Sequence, residues 1–121
     1  MQNSKSGKNV KYDLEERTAL FGENIIKFAR SLKRNPINNS LISQIVRSGT
    51  SIGANYMEAD GACTKKEFRY RISICRKESK ETGHWLRMIA TANPAYIYEA
   101  RLLWKETLEL TLIFSAILKS K

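Results

Sequence analysis

Few side chains in this 121-residue sequence are of types suited to catalysis, and their spacing argues against it. Glu81 and His84, the sole histidine, make one Glu-x-x-His pair, whereas a di-metal carboxylate bundle needs two such pairs on different helices. Cys63 and Cys75 are too few for a disulfide framework, and their spacing fits no zinc module. Glu58 and Glu78 are of the right type for paired carboxylates, but neither a nucleophile nor a water-activating metal set accompanies them. The sequence holds no phosphate loop, nucleophile elbow or zincin signature. These patterns predict no enzyme, no bound metal and no cofactor.

Binding chemistry is better represented. Lys and Arg number 21 against 12 Asp and Glu, a net charge of +9. The excess is localised: residues 1–12 carry three lysines (Lys5, Lys8, Lys11) and no acid, and residues 62–93 carry eight bases and three acids. At about 100° per residue, Lys65, Lys66, Arg69, Arg76, Lys77, Lys80 and Arg87 fall within an arc of roughly 120° on one helix, with Glu67, Glu78 and Glu81 on another side. Such a face attracts phosphates without reading bases, so RNA or DNA is the expected partner class. The bland alternative is a solvated helix face on a structural or protein-binding scaffold.

A second polar pattern lies on the preceding helix, where Gln44, Arg47, Ser48, Ser51, Asn55 and Glu58 form a stripe. Arg47 and Glu58 share a face three turns apart and cannot touch, so Glu78 and Glu81 are the expected partners of Arg47, within or between subunits. We read Gln44, Arg47, Ser51, Asn55, Glu58, Glu78 and Glu81 as an architectural network that sets register, because buried charges need partners.

The elements that must position these residues follow from periodicity. Residues 1–12 are polar and aperiodic, a disordered basic arm, and 13–121 form one domain. Helix one starts at an Asp13/Glu16 capping box and buries Leu14, Thr18, Phe21, Ile25, Phe28, Ala29 and Leu32. Lys33-Arg34-Asn35-Pro36 stops it. Helix two, capped by Asn39 or Ser40, runs to about Ala59 with Leu41, Ile45, Ile52 and Tyr56 inward and Val46 and Met57 widening that face. Gly49 and Gly53, each about 1 kcal/mol worse than alanine in a helix, point to close approach of another helix. Helix three opens with a Thr64/Glu67 capping box and runs to about Thr91 on a core stripe of Phe68, Ile72, Cys75, Ser79, Thr82, Leu86 and Ile89. Asn93-Pro94 should cap and start helix four, which runs to about Leu118 with Leu103, Thr107, Leu110, Phe114 and Ile117 inward. Four amphipathic helices with short connections predict an all-α, antiparallel up-and-down bundle.

Two of these helices carry more apolar surface than one stripe buries. Tyr70, Ile74, Trp85 and Met88 on helix three, and Leu102, Trp104, Leu108 and Leu112 on helix four, lie off the core and predict a self-association surface. The composition, with 42% apolar and 27% charged residues and no membrane-spanning run, predicts a cytosolic protein that does not enter a membrane.

The motif Q-I-V-R-S-G-T-S-I-G-A-N-Y-M-E-A (Gln44 to Ala59), with Phe68 and K-E-S-K-E-T-G-H-W-L (Lys77 to Leu86), resembles the bacterial four-helix bundle proteins related to those encoded in 23S rRNA intervening sequences. It is more distantly similar to the accessory variability protein of diversity-generating retroelements. The resemblance covers about residues 38–90 by motif and the outer helices by pattern. It implies an up-and-down bundle in a ring-like homopentamer, without known catalytic chemistry. In the retroelement relative it implies binding of a reverse transcriptase and nucleic acid through a basic surface.

Overall fold

The computed structural model describes residues 14–120. The basic arm and the Asp13 cap lie outside the described residues. The stripe from Leu14 to Ala29 folds as α1 (Leu14–Ser31), and Leu32 is buried just past its end. α2 (Pro36–Asp60), α3 (Lys65–Ala92) and α4 (Ile97–Lys119) complete a four-helix bundle. Neighbours run antiparallel: the start of α2 meets the end of α3 through Asn38 and Asn93, and the start of α3 meets the end of α4 through Arg69 and Leu118. The core is made by Phe21, Ile25, Ile45, Ile52, Ile72, Leu86, Ile89, Leu110 and Phe114, all at or near zero exposure.

Two helix starts differ from the sequence expectation. α2 begins at Pro36, with the Asn35 side chain accepting from the Asn38 N–H at 2.8 Å, rather than at an Asn39 or Ser40 cap. Proline's missing N–H costs nothing at the first helical position, so the residue that ends one helix also starts the next. Asn93 does not cap α4. A 3-10 turn, Pro94–Tyr96, intervenes, and Asn93 instead forms a reciprocal amide pair with Asn38, both bonds 2.9 Å. The Thr64 cap stands as predicted, its side chain accepting from Glu67 N–H at 3.0 Å.

The core face of α2 is rotated from the expected one. Ile42, Ile45, Ser48, Gly49, Ile52 and Ala59 are buried, Leu41, Val46 and Tyr56 are half-buried, and Met57 is exposed. The rotation brings α2's glycines against α1. A Cβ at Gly49 would lie 3.0 Å from both γ carbons of Ile25, and one at Gly53 would lie 3.3 Å from Thr18 Oγ1. Small residues here permit the close approach that offsets their cost in a helix. α1 touches α4 lightly, and Arg17 closes that seam by gripping Glu106 at 2.7 and 2.9 Å and Glu109 at 3.0 Å. The Glu106 hydrogen bonds, with the charge of both carboxylates, outweigh desolvation and raise the Arg17 pKa.

Candidate nucleic-acid interface

Because α3 packs between α2 and α4, its flanks acquire different roles. On the α2 side Arg47 bridges Glu78, at 3.3 Å, and Glu81 of the same chain. Trp85 Nε1 also donates to Glu81, at 3.0 Å, and this bond with the Arg47 pairing holds the Glu81 carboxyl below its usual range. For Arg47, partial desolvation works against the charge, and its two carboxylates override it, leaving its pKa raised. Ser51 donates to the Arg47 carbonyl at 2.6 Å, and Asn55 accepts from Arg71 at 3.0 Å. Arg71 Nε is buried without a hydrogen-bond partner among the described residues. Gln44 and Glu58 are exposed and make no side-chain hydrogen bond among the described residues. Ser48, grouped with the polar stripe by spacing, is instead in the core, 2.9 Å from the Thr82 hydroxyl.

Lys65, Lys66, Lys77, Lys80 and Arg87 are exposed, Arg76 is half-buried, and of these Lys80 and Arg87 line the grooves shared with α4. Arg69, on the same side, is not free. Its guanidinium donates to the Leu118 carbonyl at 2.6 Å and the Ser120 carbonyl at 3.3 Å, closing the C-terminal end of α4, where a cation also suits the helix dipole.

The residues expected at a subunit contact differ widely in exposure. Trp85 is half-buried against the core and tied to Glu81. Tyr70 and Leu112 are strongly exposed, while Ile74 and Met88 are half-buried. Trp104 and Leu108 lie in the seam between α3 and α4, in the same groove as Lys80, His84 and Arg87. This 360 Å³ depression shares Trp104 and Arg87 with a wider one of 570 Å³, whose lining adds Ile97, Arg101 and Lys105. Gly83 makes the seam: a Cβ there would lie 3.1 Å from Thr107 Oγ1 and 3.5 Å from the Trp104 ring. Sequence spacing placed Trp104 on one flank of α4 and Arg87 on one flank of α3, but which flanks face each other is a tertiary fact. Arg101 and Lys105 were missed for that reason.

Among the described residues no three His, Cys, Asp or Glu side chains cluster as a metal site, and no helix is long and apolar enough to cross a membrane. His84 is exposed, its ring 5.0 Å from that of Trp85. Cys63 is exposed. Cys75 is buried and donates to the Ile52 carbonyl at 3.5 Å, and burial pushes its thiol up to about 12.

Residues 11–115 match the family described as 23S rRNA-intervening sequence protein. The fold is similar to a crystal structure of a protein with unknown function from the S23 ribosomal protein family of Bacteroides thetaiotaomicron. The two share 25% identity and a TM-score of 0.79, over 88% of this chain and 99% of that one. No curated protein matches the chain.

Proposed function

The chain belongs to the 23S rRNA-intervening sequence protein family, and from that premise we propose that it is a non-catalytic, self-associating bundle that binds RNA or DNA through the phosphate backbone. The observation that carries this reading is the separation of charge on α3. Glu78 and Glu81 are turned toward α2 and held by Arg47, leaving Lys65, Lys66, Lys77, Lys80 and Arg87 exposed on the remaining surface. Cations so arranged neutralise phosphates and release their counterions, which drives binding with little sequence preference. Self-association is supported by the large exposed apolar side chains Tyr70, Leu102 and Leu112. A monodisperse mass near 13.9 kDa in light scattering would remove that part of the proposal.

The test is a titration of labelled single- and double-stranded RNA and DNA at two salt concentrations. Wild type is compared with a Lys66→Glu, Lys80→Glu, Arg87→Glu variant, which spares Arg69 and its helix-closing bonds. Binding should fall steeply with salt, and charge reversal should weaken it for every sequence. Absence of binding at low salt would refute the proposal and leave a protein-interaction scaffold.

A further inference from the structure

We propose that the groove between α3 and α4 seats an unpaired nucleotide, its base stacked on Trp104 and its phosphates held by Arg87, Arg101 and Lys105. The protein therefore prefers single-stranded RNA or DNA to duplex. This rests on the nucleic-acid reading above and adds to it a site that a phosphate-binding face does not require.

The groove has the make-up such a ligand needs. Its volume of 570 Å³ is within the range of small-molecule sites. Leu86, Ala90, Ile97 and Ala100 supply apolar lining, Trp104 an aromatic ring, and Arg87, Arg101 and Lys105 the positive charge. Among the described residues no acid lines it. Trp104 is 43% exposed, a large aromatic surface left to water, and an edge of its indole, Cδ1 and Nε1, lies beside Gly83 of α3. An aromatic ring held at one edge, open elsewhere and surrounded by cations is the arrangement on which single strands stack, because every base has a π-face. A base within a duplex is already stacked on both faces and cannot offer one without being unpaired first.

Charge complementarity favours this occupant over a second copy of the chain. A copy burying the groove would leave Arg87, Arg101 and Lys105 desolvated unless it brought carboxylates to all three, and an unpaired buried charge is strongly unfavourable. Phosphates meet that requirement directly.

The experiment uses labelled oligo(U), oligo(dT) and duplexes of equal length, read by fluorescence anisotropy across a salt series. Three proteins are compared: wild type, Trp104→Leu and Trp104→Phe. Leucine keeps apolar bulk on the helix without a ring, and phenylalanine keeps a ring. Trp104→Leu should weaken binding of the single strands by about tenfold, the loss of one base–aromatic stack. Duplex affinity and the salt slope should be unchanged, and Trp104→Phe should retain most of the affinity. RNA and DNA should respond alike, since stacking does not read the sugar.

Equal wild-type affinity for single strands and duplex, or a Trp104→Leu effect common to both, would overturn the proposal while leaving backbone binding in place. No binding of any probe would instead fail the underlying reading, and this proposal with it. Sedimentation supplies a last check. If Trp104→Leu dissociates an oligomer yet leaves single-strand affinity unchanged, the groove is a contact between copies and the proposal is wrong.

Discussion

Replacing Arg47 by methionine probes how an ion pair with one buried and one exposed partner contributes to this fold. Glu78 is 7% exposed, whereas the Arg47 side chain keeps 47% of its surface in water. Breaking a fully buried pair costs about 3–5 kcal/mol, because the remaining charge is uncompensated. An exposed pair contributes only about 0–1 kcal/mol. Arg47→Met lies between: the guanidinium that leaves opens a path for water to Glu78, so the buried figure is an upper bound. We expect a loss of about 2 kcal/mol at pH 7, a decrease of about 1 M in the urea midpoint for a slope of about 2 kcal/mol/M. Protein concentration must be held constant, since self-association adds to apparent stability. The pH dependence has a definite sign. Glu81 is held below its usual range in the folded state, so its share is present above the unfolded carboxyl value, about 4.3, and is lost as pH falls through the lower folded value. The gap between wild type and Arg47→Met should narrow over that acidic window. A variant within about 0.3 kcal/mol of wild type at pH 7, against the usual scatter of surface substitutions, would refute the architectural reading. Unchanged stability with lost nucleic-acid binding would make the stripe a functional site.

Two further outcomes follow from packing. Gly49→Ala should destabilise by about 1 kcal/mol although alanine favours helix, because both γ carbons of the fully buried Ile25 stand 3.0 Å from the new Cβ and rotating the branched side chain exchanges one clash for the other. Gly22→Ala, whose nearest contacts are 3.6 Å away, should stabilise by about 0.5 kcal/mol, and opposite signs in paired melts are the check. At pH 8 a thiol reagent should modify Cys63 alone, with Cys75 reacting only after denaturant unfolds the bundle. Rapid reaction of both thiols in the folded protein would contradict the burial that pushes Cys75 up to about 12.

Much of the fold was legible because α1 and α3 bury single, clean stripes. Every core position read for α1 is buried, and all of those read for α3 are buried except the half-buried Phe68. The buried face of α2 differs from the expected one because small residues carry its contacts, the glycines toward α1 and Ser48 toward α3. Ser48 and Gly49 add nothing to a hydropathy pattern, yet both are buried, Ser48 against Thr82 of α3 and Gly49 against Ile25 of α1. The caps were ambiguous because Asn35-Pro36 and Asn93-Pro94 present the same dipeptide, and only the first starts an α-helix directly. The second is diverted because Asn93 is engaged by Asn38, 55 residues away in sequence. The candidate site was half legible. The cations of α3 could be placed on one face, but Arg69's capture by α4 and the joining of Trp104 to Arg87 depend on contacts that no single-helix pattern contains.

The distribution of ion pairs explains why the grooves of the α3/α4 seam are basic. The α1/α4 seam is closed by Arg17 and the α2/α3 seam by Arg47, and each arginine holds two carboxylates. Two cations thereby occupy four acids, Glu78, Glu81, Glu106 and Glu109, within the bundle. The chain's surplus of 21 bases over 12 acids is displaced outward and made steeper by this unequal pairing. The α1/α2 seam needs no such clasp, since its glycines bring the backbones together. Between α3 and α4 neither device runs the full length: Gly83 provides one close contact and Arg69 two bonds to the far end, and the described lining between them carries Lys80, Arg87, Arg101 and Lys105 without a carboxylate. Cations lined up this way repel one another. The bundle therefore tolerates in this seam a cost that an anionic ligand would relieve, and polyanions should raise its melting temperature more than their screening of charge alone would.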